Sequence, residues 1–450
     1  MKTLFLISMA IVMRVSLVYC QPNPVFSPFD VFKVMEIVSS KNDNPLWPNF
    51  RPSQIPVLVY DSSNTWLFHS ERMPDGFSEV PEHPGVYKFP GQLPLVRGNS
   101  IVRMGDTWVA TSVFSSYAPR TGEAYRAVDL AGIIIHEQFH IYSRINHPRW
   151  VPNDGLLLLY PAETGEALFL RRIEKEAFKR AVTSEKPEEI CEWVKEGLRY
   201  RKQRMSSLHP VFRNYEPELQ RTEGLSDYIE KVARGLDPLN ASEITDGIAP
   251  AGVRDLGYVE GRWIAMILDK LNPGWKRVLE TNDTLYLENI LEDVVNDLPY
   301  ESKNFSDIDI EKVKAKANSD LVQWREKQKK EIEQFDRLPG FRIEINASSK
   351  PLNIRIFEPL EIEILDDRSV YHRVIFAAGN EAGSLRMRDH PCITGFDNSL
   401  RVTNIQIHGL SKGPEINETE KTVKLSDGSS TLDLKYSRIN VNGSLFEIEL

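Results

Sequence analysis

Hydrophobic positions change their period twice along the chain. From residue 21 to about 127 they fall in short runs bounded by turn formers: Ile55, Val57, Leu58, Val59 and Tyr60 precede Asp61, Ser62, Ser63 and Asn64, and Thr65, Trp66, Leu67 and Phe68 resume the run. This is a strand, turn, strand pattern. Residues 100–104 and 107–111 flank Gly105-Asp106 in the same way, which suits a short hairpin. Between 128 and 336 the spacing is helical. Residues 128–142 are apolar around most of the circumference, which predicts a buried helix, and 163–182, 188–205, 216–232, 259–271 and 306–335 continue the helical run. Ser306 suits the N-cap of the last helix, and Asn272-Pro273-Gly274 interrupts the run as a turn. After Arg337-Leu338-Pro339-Gly340 the period drops to two, as at Phe341, Ile343 and Ile345, and stays so to Leu450. The expected fold class is α+β: a β-rich unit over 21–127, a helical core over 128–336 and an antiparallel β-sandwich over 337–450.

The first twenty residues stand apart. Lys2 precedes an apolar stretch from Leu4 to Met13, with Arg14 and then Leu17, Val18, Tyr19 and Cys20 before Gln21, which reads as a secretory signal peptide over 1–20. An uncleaved anchor and a lipidated Cys20 are the alternatives. Loss of the segment removes Lys2 and Arg14 and takes the formal charge from -9 to -11. An acidic chain without a dense basic cluster argues against nucleic acid as a partner, because such binders concentrate Lys and Arg. No other stretch approaches the roughly 20 apolar residues of a membrane span. Cys191 and Cys392 are the remaining cysteines, open to one disulfide or to two separate thiols. Six Asn-x-Ser/Thr sequons would matter in a eukaryotic secretory pathway.

The chemistry lies within the buried helix, at His136-Glu137-Gln138-Phe139-His140. On a helix of about 100° per residue, side chains four apart differ in direction by about 40°, so both imidazoles can reach one ion. Glu137 projects beside them and can approach a metal-bound water without being a ligand, as a general base does in metal-assisted hydrolysis. Zinc needs a third protein ligand and an open position. Glu223 is the leading candidate, because Asp227 follows four residues later on the same face and could accept a hydrogen bond from the outer nitrogen of a ligand histidine.

His136-Glu137-x-x-His140 followed by Glu223-x-x-x-Asp227 resembles the gluzincin class of zinc metallopeptidases, and Glu223-Gly224 is similar to the Glu-Gly at the third ligand of its aminopeptidase branches. The resemblance covers about a hundred residues and implies Zn2+, Glu137 as base, and a catalytic helix beneath a sheet edge, a place 100–113 could fill. The 82 residues between His140 and Glu223 exceed the gap of many gluzincins.

Competing readings remain. Glu163 and Glu166 fall within that gap, and both also suit the acidic first turn of a helix. His147 would serve a metzincin-like third histidine, but it is one residue out of register. Tyr228, Tyr142, Tyr125 and His147 are candidates for stabilising an oxyanion. Gly409-Leu410-Ser411-Lys412-Gly413 matches a serine-hydrolase pattern but lacks the following helix that a nucleophile elbow needs. The expectation is an exported zinc-dependent peptidase acting on a peptide or protein substrate. The alternative is a secreted binding protein with an inactive metallopeptidase-like core.

Overall fold

The computed structural model describes residues 27–40, 46–114, 124–161, 164–236 and 247–450; the signal segment, Cys20 and Glu163 lie outside these ranges. The class is α+β. One unit comprises the described residues up to 41 together with 52–138, and the other 42–51 with 139–450.

The first unit opens with a helix, α1 (Pro28–Ser40), where the sequence pattern had suggested only strands. Val31, Phe32 and Met35 are its buried face, and Phe32 stacks on Phe68 with ring centroids 3.5 Å apart. Among the described residues six strands follow: β1 (Val57–Tyr60), β2 (Asn64–Phe68), β3 (Ser78–Glu79), β4 (Tyr87–Pro90), β5 (Ser100–Met104) and β6 (Thr107–Val113). They form one sheet in the order β3-β4-β2-β1-β6-β5, with β1 and β6 parallel and β5 at an edge. Asp61 closes the β1–β2 turn by accepting from the amides of Ser63 and Asn64 at 2.9 and 2.7 Å. The two-residue loop Gly105-Asp106 joins β5 to β6, with Gly105 at φ 61° as such a turn requires.

Helix α2 (Ala127–Asn146) gives its residues up to Gln138 to the first unit and those from Phe139 to the second. Asp129 closes its first turn by accepting from the Arg126 amide at 2.8 Å, and Pro148 follows its last turn. Leu130, Ala131, Ile134, Ile135, Phe139 and Ile141 are buried, in keeping with its apolar circumference.

In the second unit the helices are α3 (Gly165–Thr183), α4 (Pro187–Ser207), α5 (Tyr215–Leu219), α6 (Leu225–Arg234), α7 (Ala249–Leu271), α8 (Trp275–Glu280), α9 (Leu287–Asn296) and α10 (Asp307–Asp336). The predicted single helix over 216–232 is broken by a π-helical turn, Gln220–Gly224, between α5 and α6. Helix α7 starts ten residues before its predicted 259: Pro250 sits in the first turn, where a missing N–H costs nothing, and Gly252, Gly257 and Gly261 dilute the apolar signal. Ser306 caps α10 as expected, accepting from the Asp309 amide at 3.1 Å.

Buried arginines and carboxyl groups tie these helices together. Arg201 donates to Glu174 at 2.6 Å and to Glu260 at 2.7 Å, and Arg204 to Glu174 at 2.8 Å and Glu216 at 2.7 Å. Arg171 and the Tyr160 hydroxyl also reach Glu216. Burial alone would raise the Glu216 pKa, but Arg204 and Arg171 outweigh it and hold the carboxyl well below the usual range.

Residues from 341 onward form a seven-stranded and a six-stranded sheet. In the first, Phe341–Asn346 pairs antiparallel with Val402–Leu410 and parallel with Leu445–Glu449. The inward residues of both sheets, among them Ile343, Ile405, Phe376 and Leu432, share one buried cluster with Leu156, Leu157, Tyr160, Tyr215, Leu219 and Val253 of the helical region. The sandwich core is therefore continuous with the packing beneath the π-turn. Cys191 and Cys392 are separate buried thiols. Among the described residues no helix is long and apolar enough to cross a membrane.

Candidate metal centre

His136 and His140 stand one turn apart on α2, and the π-turn brings Glu223 to them. One ligand atom from each of these three residues lies within 4.8 Å of the others, and no other such group occurs among the described residues. His140 Nε2 is 3.2 Å from Glu223 Oε2. Tetrahedral zinc, with bonds of about 2.0–2.1 Å, separates its ligand atoms by about 3.3 Å, so this spacing and the His, His, Glu donor set fit that ion.

The outer nitrogen of His140 has a defined partner. Ser226 Oγ lies 3.3 Å from His140 Nδ1 and donates its own proton to the Thr222 carbonyl at 2.9 Å. A serine oxygen that accepts from Nδ1–H leaves the Nε2 lone pair facing Glu223, which is the tautomer a metal ligand needs.

The expected partner, Asp227, does not take this position. Its carboxylate is held by Arg262, and Lys231 Nζ lies 3.3 Å away. Arg262 is buried on α7 and needs a carboxylate, a stronger demand than that of a neutral imidazole. Asp227 thus joins α6 to α7, while its neighbour Ser226 serves the histidine.

A close helix crossing fixes the π-turn. A Cβ at Gly224 would sit 2.6 Å from Gly261 Cα, and one at Gly261 would sit 2.5 Å from the Gln220 carbonyl oxygen. Side chains at either position would push the turn away from α7, which explains the glycine after Glu223. The same crossing brings up Arg254, which donates from Nη2 to Glu223 Oε1 at 2.9 Å and from Nη1 to Asp154 Oδ1 at 2.7 Å. Burial alone would lower the Arg254 pKa, but Tyr258, Glu223 and Asp154 raise it on balance. Burial raises the pKa of Asp154 against the pull of Arg254.

Glu137 is half-buried between His136 and Gln138, and Gln138 is locked by donating to the Pro52 and Ile55 carbonyls, each at 2.8 Å. Glu166 is exposed in the first turn of α3 and is not in the ligand group. Three of the oxyanion candidates are engaged in the framework. His147 lies with Nδ1 2.6 Å from Asp283 and Nε2 3.1 Å from Glu280, stacked on Trp150. The Tyr142 hydroxyl is held by Glu280 and the Pro48 carbonyl, and the Tyr228 hydroxyl donates to Asp269 at 2.6 Å. Tyr125 is half-buried just ahead of α2. Ser411 donates from Oγ to Asp427 at 2.6 Å in a turn between strands, without an elbow.

Sequence reasoning missed Ser226, Arg254 and Asp154. Ser226 carries no pattern of its own, whereas the Gly257 to Gly261 spacing could have marked α7 as the element packed on Gly224 and so pointed to Arg254 one turn earlier. Compared with known proteins, the chain matches no family model, no curated protein and no solved structure.

Proposed function

We propose that this chain is an exported zinc-dependent hydrolase that cleaves peptide bonds in a peptide or protein substrate. His136, His140 and Glu223 hold the ion, and Glu137 is the general base. The observation that carries the reading is the approach of Glu223, 83 positions further along the chain, to within 3.2 Å of His140 Nε2. Bound zinc supplies a Lewis acid and lowers the pKa of a water molecule toward neutrality.

The protein's own part is positional and protic. Ser226 keeps the His140 proton on Nδ1, and Arg254 holds Glu223 in place. The Glu137 carboxylate accepts the proton of the attacking water and returns it to the leaving amine. Among the described residues β5 is an edge strand of its sheet, and an edge strand can receive an extended peptide. Incubation of wild type and Glu137→Gln with a mixed peptide library tests the reading: zinc is retained in both, and cleavage occurs only in wild type. Equal cleavage by Glu137→Gln contradicts it, and no cleavage by wild type favours a secreted binding protein with an inactive core.

A further inference from the structure

We infer that Arg254 is the positioning residue that limits Glu223 to ligation through one oxygen, an inference that rests on the metal-site reading above. The two oxygens of Glu223 face different partners. Oε2 lies 3.2 Å from His140 Nε2, while Oε1 accepts from Arg254 Nη2 at 2.9 Å. Bidentate ligation would require both oxygens to turn toward the ion. A guanidinium on Oε1 opposes this twice, by occupying one of that oxygen's two lone pairs and fixing its direction, and by placing a positive charge beside a cation.

Arg254 is itself held. Its second fork arm is fixed on Asp154 at 2.7 Å, Asp154 also accepts from the Tyr215 hydroxyl at 3.3 Å, and the Arg254 side chain is 13% exposed. Tyr215 and Leu219 belong to the cluster shared with the sandwich, so the anchor is built on the continuous core. Two carboxylates from separate segments, one on each arm, match the planar fork of arginine, whereas an ammonium offers only a point charge. The consequence for chemistry is a coordination position kept free, which distinguishes a catalytic zinc site from a closed structural one.

Cobalt substitution reads this directly, because four-coordinate Co2+ absorbs visible light much more strongly than Co2+ of higher coordination. Full-length wild type, Arg254→Met, Arg254→Gln and Arg254→Lys are loaded with Co2+, and thermal melting is recorded beside the spectra. The expected result is intense bands for wild type, a several-fold loss in the two neutral variants as the second Glu223 oxygen joins, and partial recovery in Arg254→Lys, which keeps the charge but not the fork. Wild-type intensity in either folded neutral variant, with only a lowered Tm, overturns the inference and leaves the metal reading standing. Failure of wild type to bind Co2+ overturns the metal reading, and the inference falls with it.

Discussion

Ser226 Oγ, in the first turn of α6, lies 3.3 Å from His140 Nδ1 and 2.9 Å from the Thr222 carbonyl oxygen, which places a hydroxyl against the outer nitrogen of a proposed ligand histidine. Groups that orient metal ligands are commonly worth 10–100-fold in metal affinity. Ser226→Ala is therefore expected to raise the zinc Kd by about 10–100-fold, measured by competition with a chelating dye. Asp227→Asn should leave that Kd within a few-fold and lower the unfolding free energy instead, because buried Arg262 loses its carboxylate. The reverse pattern would restore Asp227 to the role its spacing suggested.

The crossing of the π-turn over α7 leaves no room for a methyl group. Gly261→Ala would place Cβ 2.8 Å from Gly224 Cα and 2.5 Å from the Gln220 oxygen. Overpacking of this kind costs about 1–3 kcal/mol. Denaturant titration should show that loss, together with weaker zinc binding as Glu223 is displaced. Unchanged stability and unchanged affinity would mean that the crossing is not what positions the ligand.

Glu260 gives stability a pH dependence of defined sign. Its Oε2 accepts from Arg201 at 2.7 Å and from Gln220 at 3.0 Å, while Oε1 is buried with no hydrogen-bond partner. Burial, with Glu174 second, pushes its pKa from 4.5 up to about 8. Between those values the folded state binds the proton that the unfolded state has lost. This contribution is complete below the unfolded value and is lost as pH rises through the folded one, at up to about 1.4 kcal/mol per pH unit. Glu260→Gln removes the titration and should flatten the fall in stability from pH 5 to 8, read from urea midpoints at each pH. An unchanged slope would show that Glu260 is ionised throughout.

Much of the fold was legible because local periodicity produces it. The apolar circumference of α2, the Ser306 cap and the Gly105-Asp106 turn each act over a few residues, and each stands where its pattern put it. Features set by distant partners were not legible. The π-turn at 220–224 exists where Gly224 meets Gly261, so no window around residue 220 encodes it. The site divides in the same way. Four-residue spacing puts His136 and His140 on one face of α2, and the structure brings Glu223 to them, while the Asp that drew attention to Glu223 has a different partner. Asp227 was assigned by face alone, whereas the buried Arg262, invisible in that segment, claims it.

The sandwich is a structural partner of the helical region. Its inner residues share a cluster with Leu156, Tyr160 and Leu219, so a chain ending at 336 would expose that apolar surface. Such a fragment is expected to lack a cooperative thermal transition by calorimetry and to bind a hydrophobic dye. A cooperative transition near that of the full chain would show that the two cores fold independently.

The central claim, that His136, His140 and Glu223 form one metal centre, is tested most directly by zinc stoichiometry. Purified wild type, Glu223→Ala and Glu166→Ala are dialysed against zinc-buffered solution and assayed by atomic emission. The predicted result is about one zinc per chain in wild type and in Glu166→Ala, with loss of most of it in Glu223→Ala. Full zinc in Glu223→Ala, or none in wild type, would contradict the account.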